Sequence, residues 1–164
     1  MGVEREFLSK SPEATQELAR RVGAQLQAGT VLALDGELGA GKTTFMRGLA
    51  EGLEVDEPVS SPTYTLMHEY LGRLTLYHFD AWMEGRERAF LEGGGAEEFT
   101  GDGVSAVEWA ERVEEYLPLP RISVRLSHRS PEERVLSIRV LGESEALEAL
   151  LVALEAPSDL EEVG

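Results

Sequence analysis

The sequence predicts one α/β domain: a mixed sheet with a parallel core, flanked by helices, and an antiparallel hairpin toward the C-terminus. Three observations predict it. Thr30–Leu34 is a short apolar run, followed by a glycine-rich turn and then by Thr43–Leu53, where Phe45, Met46, Leu49, Ala50 and Leu53 fall at helical spacing. Between 65 and 107 further short apolar runs end in polar residues, as strands of such a sheet do. Residues 121–127 and 134–141 alternate apolar and polar positions around a Ser-Pro-Glu-Glu tip, which reads as a hairpin. A chain of 164 residues is enough for one such domain with a proper core.

The elements follow in order. Val3–Leu8 predicts a short strand, and its charges at Glu4, Arg5 and Glu6 suggest a sheet edge. Ser11-Pro12-Glu13 starts a helix, with Ser11 as cap and Pro12 in the first turn. Its apolar stripe is Ala14, Leu18, Val22 and Leu26, and Gly29 ends the region. Val59-Ser60-Ser61-Pro62-Thr63-Tyr64 suits an ordered loop better than a helix. Thr65–Tyr70 and Leu74–Phe79 read as strands around a turn at Gly72-Arg73, the second delivering His78-Phe79-Asp80. Glu84–Leu91 is read as helical and Gly93-Gly94-Gly95 as a break. Val104–Val107 is a strand that delivers Glu108 and Trp109, with a helix expected over Ala110–Leu117. After the hairpin, Glu145–Leu154 predicts a last helix with Leu147, Leu150, Leu151 and Leu154 on one face.

Composition narrows the function classes. A net charge of −16 repels bare nucleic acid, so any RNA the protein serves is expected to be reached through a partner. With no cysteine there is neither a disulfide framework nor a thiolate metal site. The first residues carry both signs of charge and no apolar signal core, and no apolar run is long enough to span a bilayer, so a cytoplasmic protein without membrane contact is expected. The seven acids after Arg139, with no base among them, predict an acidic surface or tail.

The stretch Gly36-Glu37-Leu38-Gly39-Ala40-Gly41-Lys42-Thr43-Thr44 fits G-x-x-x-x-G-K-[ST] between a strand and a helix, the context a phosphate-binding loop needs. Its glycines allow a tight turn whose backbone N–H groups, from Leu38, Gly39, Ala40, Gly41 and the helix opening at Lys42, Thr43 and Thr44, would cradle phosphate oxygens. Lys42 would reach the outer phosphates and the Thr43 hydroxyl would ligate Mg²⁺. Thr63, in a loop placed where nucleotide hydrolases keep a switch, could sense the metal or the last phosphate. Asp80 and Glu108, acids at strand ends, could hold Mg²⁺, and Glu108 could instead orient an attacking water. His78 reads as a packing residue within its strand. Trp109 is either a pocket wall or core. Residues 1–155 are thus read as a P-loop NTPase-like domain and 156–164 as a short acidic tail.

Four motifs in this order, G-E-L-G-A-G-K-T-T at 36–44, S-P-T-Y at 61–64, H-F-D at 78–80 and V-E-W at 107–109, resemble the TsaE (YjeE) ATPases of bacterial tRNA threonylcarbamoyladenosine biosynthesis. The resemblance spans nearly the whole chain. One departure is Ala81-Trp82-Met83, where the family continues with a Leu-Tyr-Arg-like stretch. The resemblance implies a single ATP- and Mg²⁺-dependent domain, weak as a hydrolase alone and acting with the partner proteins TsaB and TsaD on tRNA. It also implies that Glu108 is the Mg²⁺-linked acid and that Ser11 and Arg134 lie on the adenine side of the nucleotide. Two other functions fit the glycine-rich loop: a small-molecule kinase, or a binding module that holds ATP without hydrolysing it. Phosphate appearing on a small acceptor would mark the first, and no hydrolysis even in an assembled complex the second.

Overall fold

A computed structural model describes residues 3–37, 39–59, 67–81, 92 and 101–163. Strands β1 (Glu4–Ser9), β2 (Val31–Gly36), β3 (Met67–Tyr70), β4 (Leu76–Asp80), β5 (Val104–Glu108), β6 (Arg121–His128), β7 (Arg134–Leu141) and β8 (Leu160–Val163) form one sheet. Their order is β3-β4-β5-β2-β6-β7-β1-β8. Neighbours from β4 to β6 run parallel, and the pairs at either side of that core are antiparallel. Helices α1 (Pro12–Gln25), α2 (Lys42–Gly52) and α3 (Glu145–Ala153) accompany it.

Side-chain alternation builds the two layers. Along β2, Leu32 and Leu34 join a cluster with Leu18 and Val22 of α1, Phe45 and Leu49 of α2 and Leu151 of α3. Val31 and Ala33 point the other way, onto Phe79, Val107, Ala110, Val113 and Leu117. A strand buried on both faces reads as an unbroken apolar run, which is why Thr30–Leu34 looked as it did. Helices α1 and α2 pack closely because glycines stand at the crossing. A Cβ on Gly48 would fall inside contact distance of the Gln16 carbonyl oxygen and 2.7 Å from the Ala19 Cβ. One on Gly52 would lie 2.8 Å from the Gly23 Cα.

Three expectations change. β1 is not an edge strand: it pairs β7 on one side and β8 on the other. Two of its charged residues meet partners: Arg5 donates to both carboxylate oxygens of Glu162, and Glu4, still exposed, accepts the Ser137 hydroxyl at 2.8 Å. The segment after Trp109 is two short 3₁₀ turns, Ala110–Arg112 and Glu114–Tyr116, not a helix. Its buried Ala110, Val113 and Leu117 stand three and four residues apart, as on a helix, but the backbone breaks at Val113 (φ −130°, ψ 24°). Lastly, the acidic segment 156–164 contributes β8, its Leu160 buried and its acids exposed. The helix expected at Glu84–Leu91 and the glycines at 93–95 lie outside the described residues.

Candidate phosphate-binding site

The carboxyl ends of β4, β5, β2 and β6 share one rim of the sheet: Asp80 is the register partner of Glu108, Glu108 of Leu34, and Gly36 of Leu126. Sheets of this kind bind ligands outside that rim. Here the chain leaves β2 through Gly36 (φ 152°), turns with Ala40 N–H donating to the Glu37 carbonyl at 3.0 Å, and enters α2 through Gly39 (φ 78°) and Gly41 (φ 107°). Two of these positive φ values lie well inside the left-handed region that side chains other than glycine's disfavour. At Gly36 space is the tighter limit, since a Cβ would stand 2.5 Å from the Leu126 carbonyl oxygen. Gly39 faces open space: nothing lies within 4 Å of where its Cβ would be. No side chain caps α2 at Gly41, in contrast to the serines that cap α1 and α3. Its first N–H groups therefore have no side-chain acceptor from the cap, and with the positive end of the helix dipole they favour an anion.

Lys42 is buried, 6% exposed, and donates to the Gly36 and Glu37 carbonyls, the second at 3.1 Å. Its ammonium also lies 3.6 Å from the centroid of the Trp109 ring. Burial holds its pKa below the ordinary lysine value, opposed by the charges of Glu108, Glu111, Asp35 and Asp80. Four acids of the described residues thus act on the Lys42 ammonium. Trp109 itself adopts φ 57°, ψ 40°, an uncommon backbone for a bulky residue at the exit of a strand.

Side-chain alternation places His78, Asp80, Ala106 and Glu108 on the α1–α2 face, with Tyr77, Phe79 and Val107 on the other. Glu108 is buried, and its Oε2 lies 2.5 Å from His78 Nε2. Asp80 is half-buried at the rim. Lys42, Asp80 and Glu108 are thereby brought together, with Thr43 and Thr44 half-buried on the first turn of α2. Arg134 sits nearby. Its guanidinium donates to the Ser130, Pro131 and Glu133 carbonyls of the hairpin tip and, at 3.4 Å, to the Gly39 carbonyl of the loop. Ser11 follows Ser9, the register partner of Arg134, so both are at the same rim, but the Ser11 hydroxyl accepts the Ala14 N–H as helix cap. Leu38 and Thr63 lie outside the described residues.

Sequence reasoning passed over two acids. Asp35 accepts the Glu111 N–H at 3.1 Å. Glu111 is exposed by area yet crowded, and its carboxyl is pushed up to about 7, by partial desolvation first and by a hydrogen bond with Asp35 second. No motif marks either; the only signal was that Asp35 ends the strand leading into the glycine-rich turn. His78 was read as packing, and a buried histidine opposite a buried glutamate is a more specific arrangement than that.

A parallel strand, a glycine-rich turn and a helix without a side-chain cap give this single α/β domain a phosphate-loop architecture. The sequence profile of the family described as "Threonylcarbamoyl adenosine biosynthesis protein TsaE" matches residues 9–136, and the chain belongs to that family. Among its relatives is a Bacillus subtilis (strain 168) protein named tRNA threonylcarbamoyladenosine biosynthesis protein TsaE, 42% identical over 133 residues, covering 80% of this chain and 83% of the relative. A Treponema pallidum (strain Nichols) protein of the same name is 39% identical over 131 residues, covering 80% and 97%. The fold is similar to the crystal structure of YdiB from Bacillus subtilis, with a TM-score of 0.76, 35% identity and coverage of 94% and 95%. Among the described residues no helix is long and apolar enough to cross a membrane.

Proposed function

We propose that the protein is a Mg²⁺-dependent ATPase that supports TsaB- and TsaD-like partners in forming N6-threonylcarbamoyladenosine on tRNA. The observation that carries the nucleotide reading is the Gly36–Thr44 turn, where α2 begins without a side-chain cap and Lys42 is held beneath it. Family membership and the names of the relatives support the process.

In this reading the N–H groups from Leu38 to Thr44 hold the phosphates, and Lys42 leaves its two carbonyl partners for the outer ones. Thr43 ligates Mg²⁺, with Asp80 and Glu108 as the acids linked to it, directly or through water. When bound, the metal neutralises charge that develops on the phosphates. Thr63 senses the filled site from its loop, and Ser11 and Arg134 take the adenine side. Arg134 also holds the hairpin tip against the loop, so nucleotide and hairpin would settle together. The −16 charge makes direct tRNA binding weak, so partners bring the RNA.

The test is phosphate release by this chain alone and with its partners, beside tRNA binding at physiological salt. Slow release alone and faster release in the complex support the reading. Phosphate appearing on a small acceptor would replace it with a kinase, and a complex that binds ATP but never releases phosphate would replace it with a binding module. A tight, steeply salt-dependent complex of this protein alone with tRNA would remove the partner requirement.

A further inference from the structure

His78 and Glu108 stand on adjacent parallel strands, their side chains 0% and 4% exposed, and meet through Nε2 and Oε2 at 2.5 Å. Among the described residues, His78 Nδ1 is buried with no hydrogen-bond partner. That combination assigns the tautomer. A nitrogen without an acceptor is the bare one, since an N–H there would lose its bond, so the proton is on Nε2 and is donated to the carboxylate. Packing does not account for the choice of residue. A leucine or phenylalanine could fill interior space without orphaning a polar atom, whereas the imidazole accepts that cost. What it supplies is a fixed donor to one oxygen of a buried acid whose other oxygen stays outside this bond.

A buried carboxylate needs donors, and its direction is set by them. Glu108 acts on Lys42 more strongly than Glu111, Asp35 or Asp80 does. Freed from His78, its three-carbon side chain could turn toward the ammonium. We propose that His78 is a positioning residue: its Nε2–H pins Oε2 of Glu108, so that the carboxylate serves the metal instead of collapsing onto Lys42. This rests on the reading of Glu108 as the metal-linked acid.

The test uses the full chain with His78→Leu, His78→Gln, Glu108→Gln and the double variant His78→Leu/Glu108→Gln. ATP affinity is measured by calorimetry across a Mg²⁺ titration and again with chelator, beside thermal melting. His78→Leu is expected to keep the metal-free affinity while needing on the order of tenfold to a hundredfold more Mg²⁺. His78→Gln, whose amide N–H can reach the same oxygen, should recover most of that loss. The double variant should be no worse than Glu108→Gln alone, because the two residues act as one unit. A His78→Leu protein with wild-type Mg²⁺ dependence, equal losses with and without metal, additive losses in the double variant, or His78 variants that all fail to fold would each overturn the role and leave packing. Wild-type protein whose ATP binding ignores Mg²⁺ would instead overturn the reading of the site, and this role with it.

Discussion

The Lys42 ammonium rests on the face of Trp109, 3.6 Å from the ring centroid, while donating to the Gly36 and Glu37 carbonyls. The lysine that would meet the outer phosphates is thus held within the loop by an aromatic wall and two backbone acceptors. Burial disfavours its charged form, and the ring face and the two carbonyls offset part of that cost.

Replacing it shows what the loop is for. Lys42→Ala is expected to abolish productive ATP use, because the only other lysine is Lys10 on the first strand's exit. Phosphate release with partners present is the measurement. A wild-type rate would end the phosphate-loop assignment.

Thr43→Ala separates metal from phosphate. Nucleotide affinity should fall more in the presence of Mg²⁺ than in chelator, since only the hydroxyl is lost and the N–H remains. Equal losses in the two titrations would take Thr43 off the metal.

Glu108→Gln keeps an oxygen for His78 and removes the charge. At an effective dielectric near 20, one unit charge a few ångströms away is worth about 4 kcal/mol before solvation. Even a third of that is roughly a factor of ten in rate. The variant should fold, bind ATP and release phosphate at least about tenfold more slowly in the assembled complex. An undiminished rate in a stable variant would leave Asp80 as the metal-linked acid.

Gly48→Ala tests the helix crossing. The added methyl meets the Gln16 carbonyl and the Ala19 Cβ, which are backbone and a stub that cannot swing aside. A loss of about 1–3 kcal/mol is expected despite the better helix propensity of alanine. Denaturant unfolding reads it, and a stabilised Gly48→Ala protein would contradict the close packing of α1 on α2.

Glu111 gives a pH dependence of known sign. Its folded pKa of about 7 lies above the ordinary 4.5, so the folded state keeps a proton that the unfolded chain gives up. The stability this proton contributes is complete below about 4.5 and lost as pH rises through 7. Glu111→Gln should therefore gain on wild type between pH 5 and pH 8. Solvent screening limits the gain to a few tenths of a kcal/mol, about one degree in melting temperature. Melting differences that are the same at both pH values would refute the shift.

Patterns that are local in the chain were legible in it. The glycine-rich turn, the helix cap at Ser11, and the alternation of Ile122, Val124 and Leu126 each declare themselves within a few residues. The places of Asp80 and Glu108 at strand ends were legible because each closes a short apolar run. What escaped depends on partners far away in sequence. Glu4, Arg5 and Glu6 look like an edge until Glu162 and Ser137 are known to face them. His78 looks like packing until its ring is seen to meet the carboxylate of Glu108, 30 residues on. The 3₁₀ turns after Trp109 could not be told from a helix because Ala110, Val113 and Leu117 keep helical spacing, and a left-handed tryptophan has no sequence signature.

The arrangement at β1 sets an order of events during synthesis. Residues 4–9 pair only with residues 134–141 and 160–163, so the first strand made is among the last to find its place. At roughly 5–20 residues per second, the ribosome takes about 6–25 s to move from one to the other. During that interval Phe7 and Leu8, both buried in the finished sheet, have no strand to lie against. The phosphate loop between β2 and α2 is complete long before, but β6, whose Leu126 pairs Gly36, and Arg134, which reaches Gly39, arrive only late. A nascent chain therefore carries the binding motif well before it can hold it rigid, and nucleotide is expected to engage only once the hairpin has closed.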